Sequence, residues 1–332
     1  MDNSPVLITG AAGFIGFHTA LRLLQAGRKV VGVDNLNDYY DPELKRARLQ
    51  QLDNFNDFEF VKADIEDKAA MEKMWAEQGP FKEVVHLAAQ AGVRYSLENP
   101  YSYIQSNCMG HVTIMEMCRH TDGFKHLVYA SSSSVYGGNK KLPYSTEDSV
   151  DKPISLYAAT KRADELMSHT YSHLFDLPQT GLRFFTVYGP WGRPDMALFI
   201  FTKNICDGKP IPVFNNGEMK RDFTYIDDIV TGVLGALENP PVREDHQAPW
   251  RVLNIGNNRS EKLMDYVQII ESELGQKAEI DFKPMQPGDV PETYADISAI
   301  QDLTGYTPTT TIKEGIPKFI EWYKDYYKIK AA

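Results

Sequence analysis

Five short apolar runs punctuate the first half of the chain, with stretches of helical periodicity between them. Val6-Leu7-Ile8 leads into a glycine-rich turn, after which residues 14–26 repeat apolar positions at helical spacing until Gly27. Val30-Val31-Gly32-Val33 is the next run and ends in Asp34. Residues 58–62, 83–89 and 126–130 read as further strands, with helical patterns over 68–78 and 101–120. Runs with little polar alternation belong to strands buried on both faces. Strands and helices in this order therefore predict a parallel sheet covered on both sides, with right-handed crossovers.

The segment 35–57 is longer than an ordinary strand-to-helix connection, and 42–52 reads as a short charged helix inside it. Beyond about residue 185 the alternation loosens, and proline and glycine crowd into Gly189-Pro190-Trp191-Gly192-Arg193-Pro194. The predicted division is a sheet domain from 1–186 and 224–252 and a smaller C-terminal α/β domain from 187–223 and 253–332, the latter for substrate.

Composition narrows the function classes. With 332 residues and 42% hydrophobic content the chain can bury a large core. A net charge of −10 argues against nucleic-acid partners. No apolar run reaches a membrane span, and the N-terminus enters a strand without a basic start, so a cytoplasmic protein is expected. Cys108, Cys118 and Cys206 suggest neither a disulfide framework nor a zinc site. His169 and His173 share a helix face but lack the glutamate of the zinc-protease pattern, so no metal is expected.

Two motifs carry the chemistry. Glycines at 10, 13 and 16 follow a strand and open a helix, the context of a dinucleotide turn. Gly10 permits the tight turn, Gly13 lets the backbone approach a pyrophosphate, and Gly16 allows close helix–sheet packing. The helix N-terminus, with Phe14 and Ile15, offers free amides and partial positive charge. Asp34, followed by Asn35, ends the second strand where a carboxylate can take both adenosine ribose hydroxyls and repel a 2′-phosphate, which favours NAD over NADP. Asp64 and Ile65 follow the third strand on the adenine side. The fold class is thus α/β, a doubly wound parallel sheet of Rossmann type. Farther on, Tyr157 and Lys161 stand four apart and share one helix face. An ammonium beside a phenol favours the phenolate, which makes the tyrosine an acid/base.

Together these residues resemble the extended short-chain dehydrogenase/reductase family and, within it, the nucleotide-sugar epimerases. The resemblance takes in Leu87, Ala88 and Ala89 at a strand end near the nicotinamide, and Asn107 on the central helix. It also includes Ser131-Ser132-Ser133-Ser134-Val135-Tyr136-Gly137, where alignment on Val-Tyr-Gly gives the catalytic serine role to Ser132. Three stretches, 37–42, 183–197 and 284–290, are similar to the UDP-glucuronate 4-epimerases. What the resemblance implies is reversible oxidation of a UDP sugar at C4 on NAD, in a homodimer paired through helices at 101–120 and 155–175. Thr186 and Arg193 replace the pattern of UDP-galactose epimerases and suit a C6 carboxylate, with Ser133 and Ser134 beside it. Arg221, Asp289, Ala197 and Phe214 fall at family positions for the UDP moiety, while Gln286 stands where many relatives carry arginine. The rival readings are a UDP-glucuronate decarboxylase, a UDP-glucose 4-epimerase and a non-catalytic NAD-binding regulator. Decarboxylases typically carry glutamate where this chain has Ser134.

Overall fold

The computed structural model describes residues 4–286 and 288–329. Residues 1–3 and 330–332, at the ends of the expected domains, and Pro287, within the 284–290 stretch, lie outside the described residues.

The apolar runs become strands of one sheet. They are β1 (Val6–Thr9), β2 (Val30–Asp34), β3 (Phe58–Lys62), β4 (Glu83–His86), β5 (His126–Ser132) and β6 (Gln179–Phe184). Helices α1 (Phe14–Gln25), α2 (Pro42–Leu52) and α3 (Lys68–Gln78) connect the first four. Between β4 and β5 run α4 (Tyr95–Glu98), α5 (Pro100–Tyr103), a π-helical segment (Ile104–Met109) and α6 (Gly110–Arg119), and α7 (Leu156–Phe175) leads into β6. With β11 (Trp250–Ile255) from later in the chain, the seven-stranded sheet has the order β11-β6-β5-β4-β1-β2-β3, and every pairing is parallel. The order reverses between β1 and β4, which opens a crevice at their carboxyl ends where ligands bind in such sheets.

Capping side chains fix the helix starts. Asp41 accepts from Glu43 N with Pro42 in the first turn of α2, Asp67 accepts from Ala70 N, and Ser155 accepts from Ala158 N at 3.1 Å. Two expectations shift. The strand predicted over 83–89 stops at His86, because residues 87–89 turn across the end of β1, where Leu87 N donates to Thr9 O. The helix predicted over 101–120 contains the π turn, which swings Asn107 inward to 1% exposure.

The remainder forms small pairings around the crevice. β7 (Thr186–Tyr188) pairs with β10 (Phe223–Tyr225). β8 (Ile211–Phe214) pairs with β13 (Ile280–Lys283), and β9 (Lys220–Arg221) with β12 (Glu261–Lys262). Helices α8 (Ala197–Cys206), α9 (Ile226–Glu238), α10 (Leu263–Leu274), α11 (Ser298–Thr304) and α12 (Ile312–Tyr326) complete the fold. Strand β11 (Trp250–Ile255) closes the large sheet, so the division expected at 252/253 falls inside it. Among the described residues no helix is long and apolar enough to cross a membrane.

Candidate active site

A cavity of about 430 Å³ occupies the crevice and takes lining from both parts of the chain. The glycine turn forms one end. A Cβ on Gly10 would lie 2.8 Å from Ala88 N, and one on Gly16 would lie 2.0 Å from Gly10 O, so this backbone tolerates no side chain there. Gly13 leaves α1 without a side-chain cap, and its N-terminal amides face a phosphate-sized space. Phe14, Ile15, Asp34, Asn35, Ile65, Leu87, Ala88 and Ala89 line the same cavity. Asp34 accepts from Ala12 N (3.2 Å) and Leu36 N (2.9 Å), and burial pushes its carboxyl above the usual range. A bare glycine cradle, an uncapped helix and a carboxylate at the strand end fit a dinucleotide.

Two cofactor candidates sit elsewhere. Asp64 is absent from the cavity wall; it accepts a hydrogen bond from Asn35 Nδ2, so it positions a lining residue. Asn107 is sealed behind the wall. Its Oδ1 accepts from Gln90 N (2.8 Å), while Nδ2 donates to Gln90 O (3.2 Å) and Thr160 Oγ1 (3.0 Å). The π turn thus ties the helix carrying Tyr157 to the loop after β4.

Ser132, Ser133, Ser134, Tyr157 and Lys161 line the middle of the cavity. The Ser155 cap places Tyr157 in the first turn of α7, and the Tyr103 ring stands edge-on to it, centroids 6.0 Å apart. Ser132 Oγ accepts from Ser134 N (3.2 Å) and Ser134 Oγ (2.9 Å), which leaves its own proton to donate outward. Lys161 Nζ donates to Ala130 O (3.0 Å) and Asp164 Oδ2 (3.1 Å). Beneath the serines, Glu165 takes both Arg183 Nε (2.8 Å) and Nη2 (2.9 Å) and the Ser131 hydroxyl (2.6 Å). This buried, satisfied network anchors the end of β5.

Thr186, Arg193, Arg221 and Asp289 line the same cavity. Arg193 Nε and Nη2 donate to Asp195 Oδ1 (3.0 Å) and Oδ2 (2.6 Å), and the Tyr39 hydroxyl donates to the same Oδ2 (3.0 Å). Burial works to raise the Asp195 carboxyl, but the Arg193 charge and the hydrogen bonds from Arg193 and Tyr39 together outweigh it and hold it below the usual range. Arg221 Nη2 donates to Asp289 Oδ1 at 2.6 Å. Three expected contacts do not reach the wall. Ala197 starts α8 one residue past the lining Met196, the Phe214 ring packs under the Arg94 guanidinium at 4.8 Å, and Gln286 keeps a buried Oε1 without a partner.

Sequence reasoning missed Tyr39, Asp195, Lys45 and Arg48. Arg48 is fully buried and donates to Ala12 O (2.8 Å), Tyr40 Oη (2.7 Å), Trp191 O (2.7 Å) and Gly192 O (3.3 Å). The available signal was its spacing: Arg48 and Lys45 share the buried face of α2 with Leu44, Leu49 and Leu52. A cation on such a face demands partners.

Residues 6–256 match the model of the NAD dependent epimerase/dehydratase family. A probable UDP-glucuronate 4-epimerase of Rhizobium meliloti (strain 1021) is 46% identical over 334 residues, covering 97% of each chain. UDP-glucuronate 4-epimerase 1 of Arabidopsis thaliana is 49% identical over 332 residues, covering 97% of this chain and 77% of its own. Among solved structures, the UDP-glucuronic acid 4-epimerase of Bacillus cereus in complex with UDP-glucuronic acid and NAD superposes with a TM-score of 0.88. It is 35% identical, covering 97% of this chain and 100% of that one.

Proposed function

The chain belongs to the NAD dependent epimerase/dehydratase family, and from that premise we propose that it interconverts UDP-glucuronate and UDP-galacturonate at C4. One observation carries the reading. The tyrosine, lysine and serine of a C4 oxidation site share a single cavity with the glycine turn, Thr186 and Arg193.

NAD, when bound, supplies a nicotinamide that takes a hydride from sugar C4 and returns it to the opposite face. Gly10, Gly13 and Gly16 with the amides of α1 hold its pyrophosphate, and Asp34 holds the adenosine ribose. Tyr157 takes the proton of the C4 hydroxyl and later returns it. Lys161 follows four residues on, on the same helix face. Ser132, already accepting two hydrogen bonds, donates its proton to the reacting oxygen. The 4-keto sugar turns over between the two half-reactions, so it must be held loosely, and affinity must come from the remote UDP group. Arg221 and Asp289, which line the cavity, take the diphosphate and uridine on this reading.

A 4-keto glucuronate is a β-keto acid and loses CO2 when its C5–carboxylate bond aligns with the carbonyl π system. Arg193, Thr186 and Ser133 hold that carboxylate out of alignment. Ser134 offers no carboxylate to assist decarboxylation. On this reading 1–186 with 224–252 carries NAD and 187–223 with 253–332 carries the UDP sugar, apart from the end of β11. The enzyme works in the cytoplasm, where its three free cysteines stay reduced. It pairs as a homodimer through the helices at 101–120 and 155–175, which expose Tyr101, Ile104, Met109, Leu166 and Leu174.

The test is chromatography after incubation with UDP-glucuronate, UDP-glucose and UDP-galactose in turn. UDP-galacturonate from the first is expected. A UDP-pentose would mark a decarboxylase, turnover of the neutral sugars alone a UDP-glucose epimerase, and no turnover a regulator.

A further inference from the structure

Lys161 and Asp164 lie three apart on α7 and form an ion pair that is almost fully shut off from solvent, at 3% and 1% exposure. Such a pair on a surface would stabilise the helix slightly. Here both charges are desolvated, and Asp164 Oδ1 has no partner among the described residues. A buried carboxylate left half satisfied is an expensive structural brace. Its placement makes chemical sense instead, because its one partner is the lysine that serves Tyr157.

Resting on the epimerase reading above, we propose that Asp164 is a positioning residue: its carboxylate is the buried counter-ion of Lys161 and sets how much positive charge that ammonium presents to the reacting groups. The groups facing Asp164 leave the lysine as its main electrostatic partner. On α7 itself, the neighbouring Glu165 is matched by Arg183. From α6 comes His111, which faces the Asp164 backbone, and from β4 comes His86, stacked on His111 at 5.4 Å. Burial keeps both rings neutral, lowering His86 to about 3 and His111 well below its usual range. Tyr129 on β5 and Cys108 in the π turn face the pair as well, and burial raises both, the thiol to about 11, so neither is charged.

Asp164 itself changes charge in the working range. Burial outweighs the pull of Lys161 and raises its carboxyl to about 7. Protonated, it leaves the ammonium uncompensated; ionised, it cancels the ammonium. A rise in pH therefore withdraws the positive charge that the lysine presents to the site. Coupled titrations of this kind broaden the acid limb of a rate profile.

The experiment is the pH dependence of kcat/KM for UDP-glucuronate in wild type, Asp164→Asn and Asp164→Ser, each checked for folding by thermal melting. With the opposing charge gone, the acid limb should move about one pH unit lower and sharpen toward a single-proton slope. Superimposable limbs, or folded variants dead at every pH, would overturn the proposal. Carboxyl-carbon NMR of the aspartate-labelled wild-type chain needs neither turnover nor a folded variant. An aspartate titrating near pH 7 is expected, above Asp222 at about 6, and its absence overturns the proposal too. If the wild type turns over no UDP sugar, the epimerase reading falls and this inference with it. An active wild type whose limbs match those of the variants sinks this inference alone.

Discussion

Replacing Gly16 by alanine should cost the enzyme its cofactor while sparing its fold. The added Cβ would stand 2.0 Å from Gly10 O, 2.8 Å from the Gly10 carbonyl carbon and 3.2 Å from Ala11 Cα. All three neighbours are backbone, so none can rotate away. An ordinary carbon–oxygen contact is about 3.3 Å or more, so the turn and the helix must separate by roughly 1.3 Å, close to the rise of one helical residue. That movement breaks the Gly13 N to Gly10 O bond of 2.9 Å and re-aims the amides that meet the pyrophosphate. Losing one or two charge-assisted hydrogen bonds costs on the order of 3–4 kcal/mol, or roughly a hundred- to a thousandfold in NAD affinity. Gly13→Ala, with its Cβ 2.9 Å from Gly10 O, should fall between this variant and wild type. Gly27→Ala is the control. Its φ of +75° imposes strain of about 1 kcal/mol, but no atom lies within 4 Å of the new Cβ, so NAD affinity should not change. Calorimetric titration of stripped protein with NAD, beside thermal melts, measures both effects. A folded Gly16→Ala variant that binds NAD within about twofold of wild type would refute the argument that the turn works through backbone contact.

Tyr157→Phe keeps the ring and should keep NAD while turnover falls about 10²–10⁴-fold; retention of more than about 1% of wild-type rate in the chromatographic assay would remove the residue from acid–base duty. Asp34→Ala should weaken NAD and narrow its advantage over NADP, read by titration with both. Arg193→Ala should raise the KM for UDP-glucuronate roughly ten- to a hundredfold, far more than for UDP-glucose, and release some decarboxylated product. Part of that loss comes from the Asp195 carboxylate left uncompensated in the cavity, so adding Asp195→Asn should recover some of it; equal losses on both sugars would make Arg193 a structural residue. Light scattering should give a particle near twice 37.6 kDa, and Leu166→Glu on the exposed face of α7 should shift it toward monomer.

The sheet was legible because buried parallel strands write themselves as unbroken apolar runs, and the dinucleotide end because glycines, strand and helix are contiguous in sequence. Tyr157 and Lys161 are likewise local to one helix. What stayed hidden depends on distance. Tyr39 and Asp195 meet across 156 residues, and Arg48 and Trp191 across 143, separations that no periodicity records. The π turn escaped for another reason: it slips the hydrogen-bond register without changing which residues are apolar, so nothing in the pattern marks where the helix tightens or loosens around Asn107. Phe214, Ala197 and Gln286 came from family positions alone; none lines the main cavity, although Ala197 lines a smaller one beside Thr186 and Arg193.

Arg48 touches no reactant, yet it joins the carbonyl of Ala12 in the glycine turn to those of Trp191 and Gly192 in the loop that presents Arg193. Cofactor recognition and sugar recognition are therefore not independent modules in this chain. A designer who grafts a foreign 189–197 loop to change the accepted sugar inherits two carbonyls that must still meet one guanidinium at fixed reach. A graft that misses them loosens the dinucleotide end as well. Swapping specificity here means transplanting α2 along with the loop.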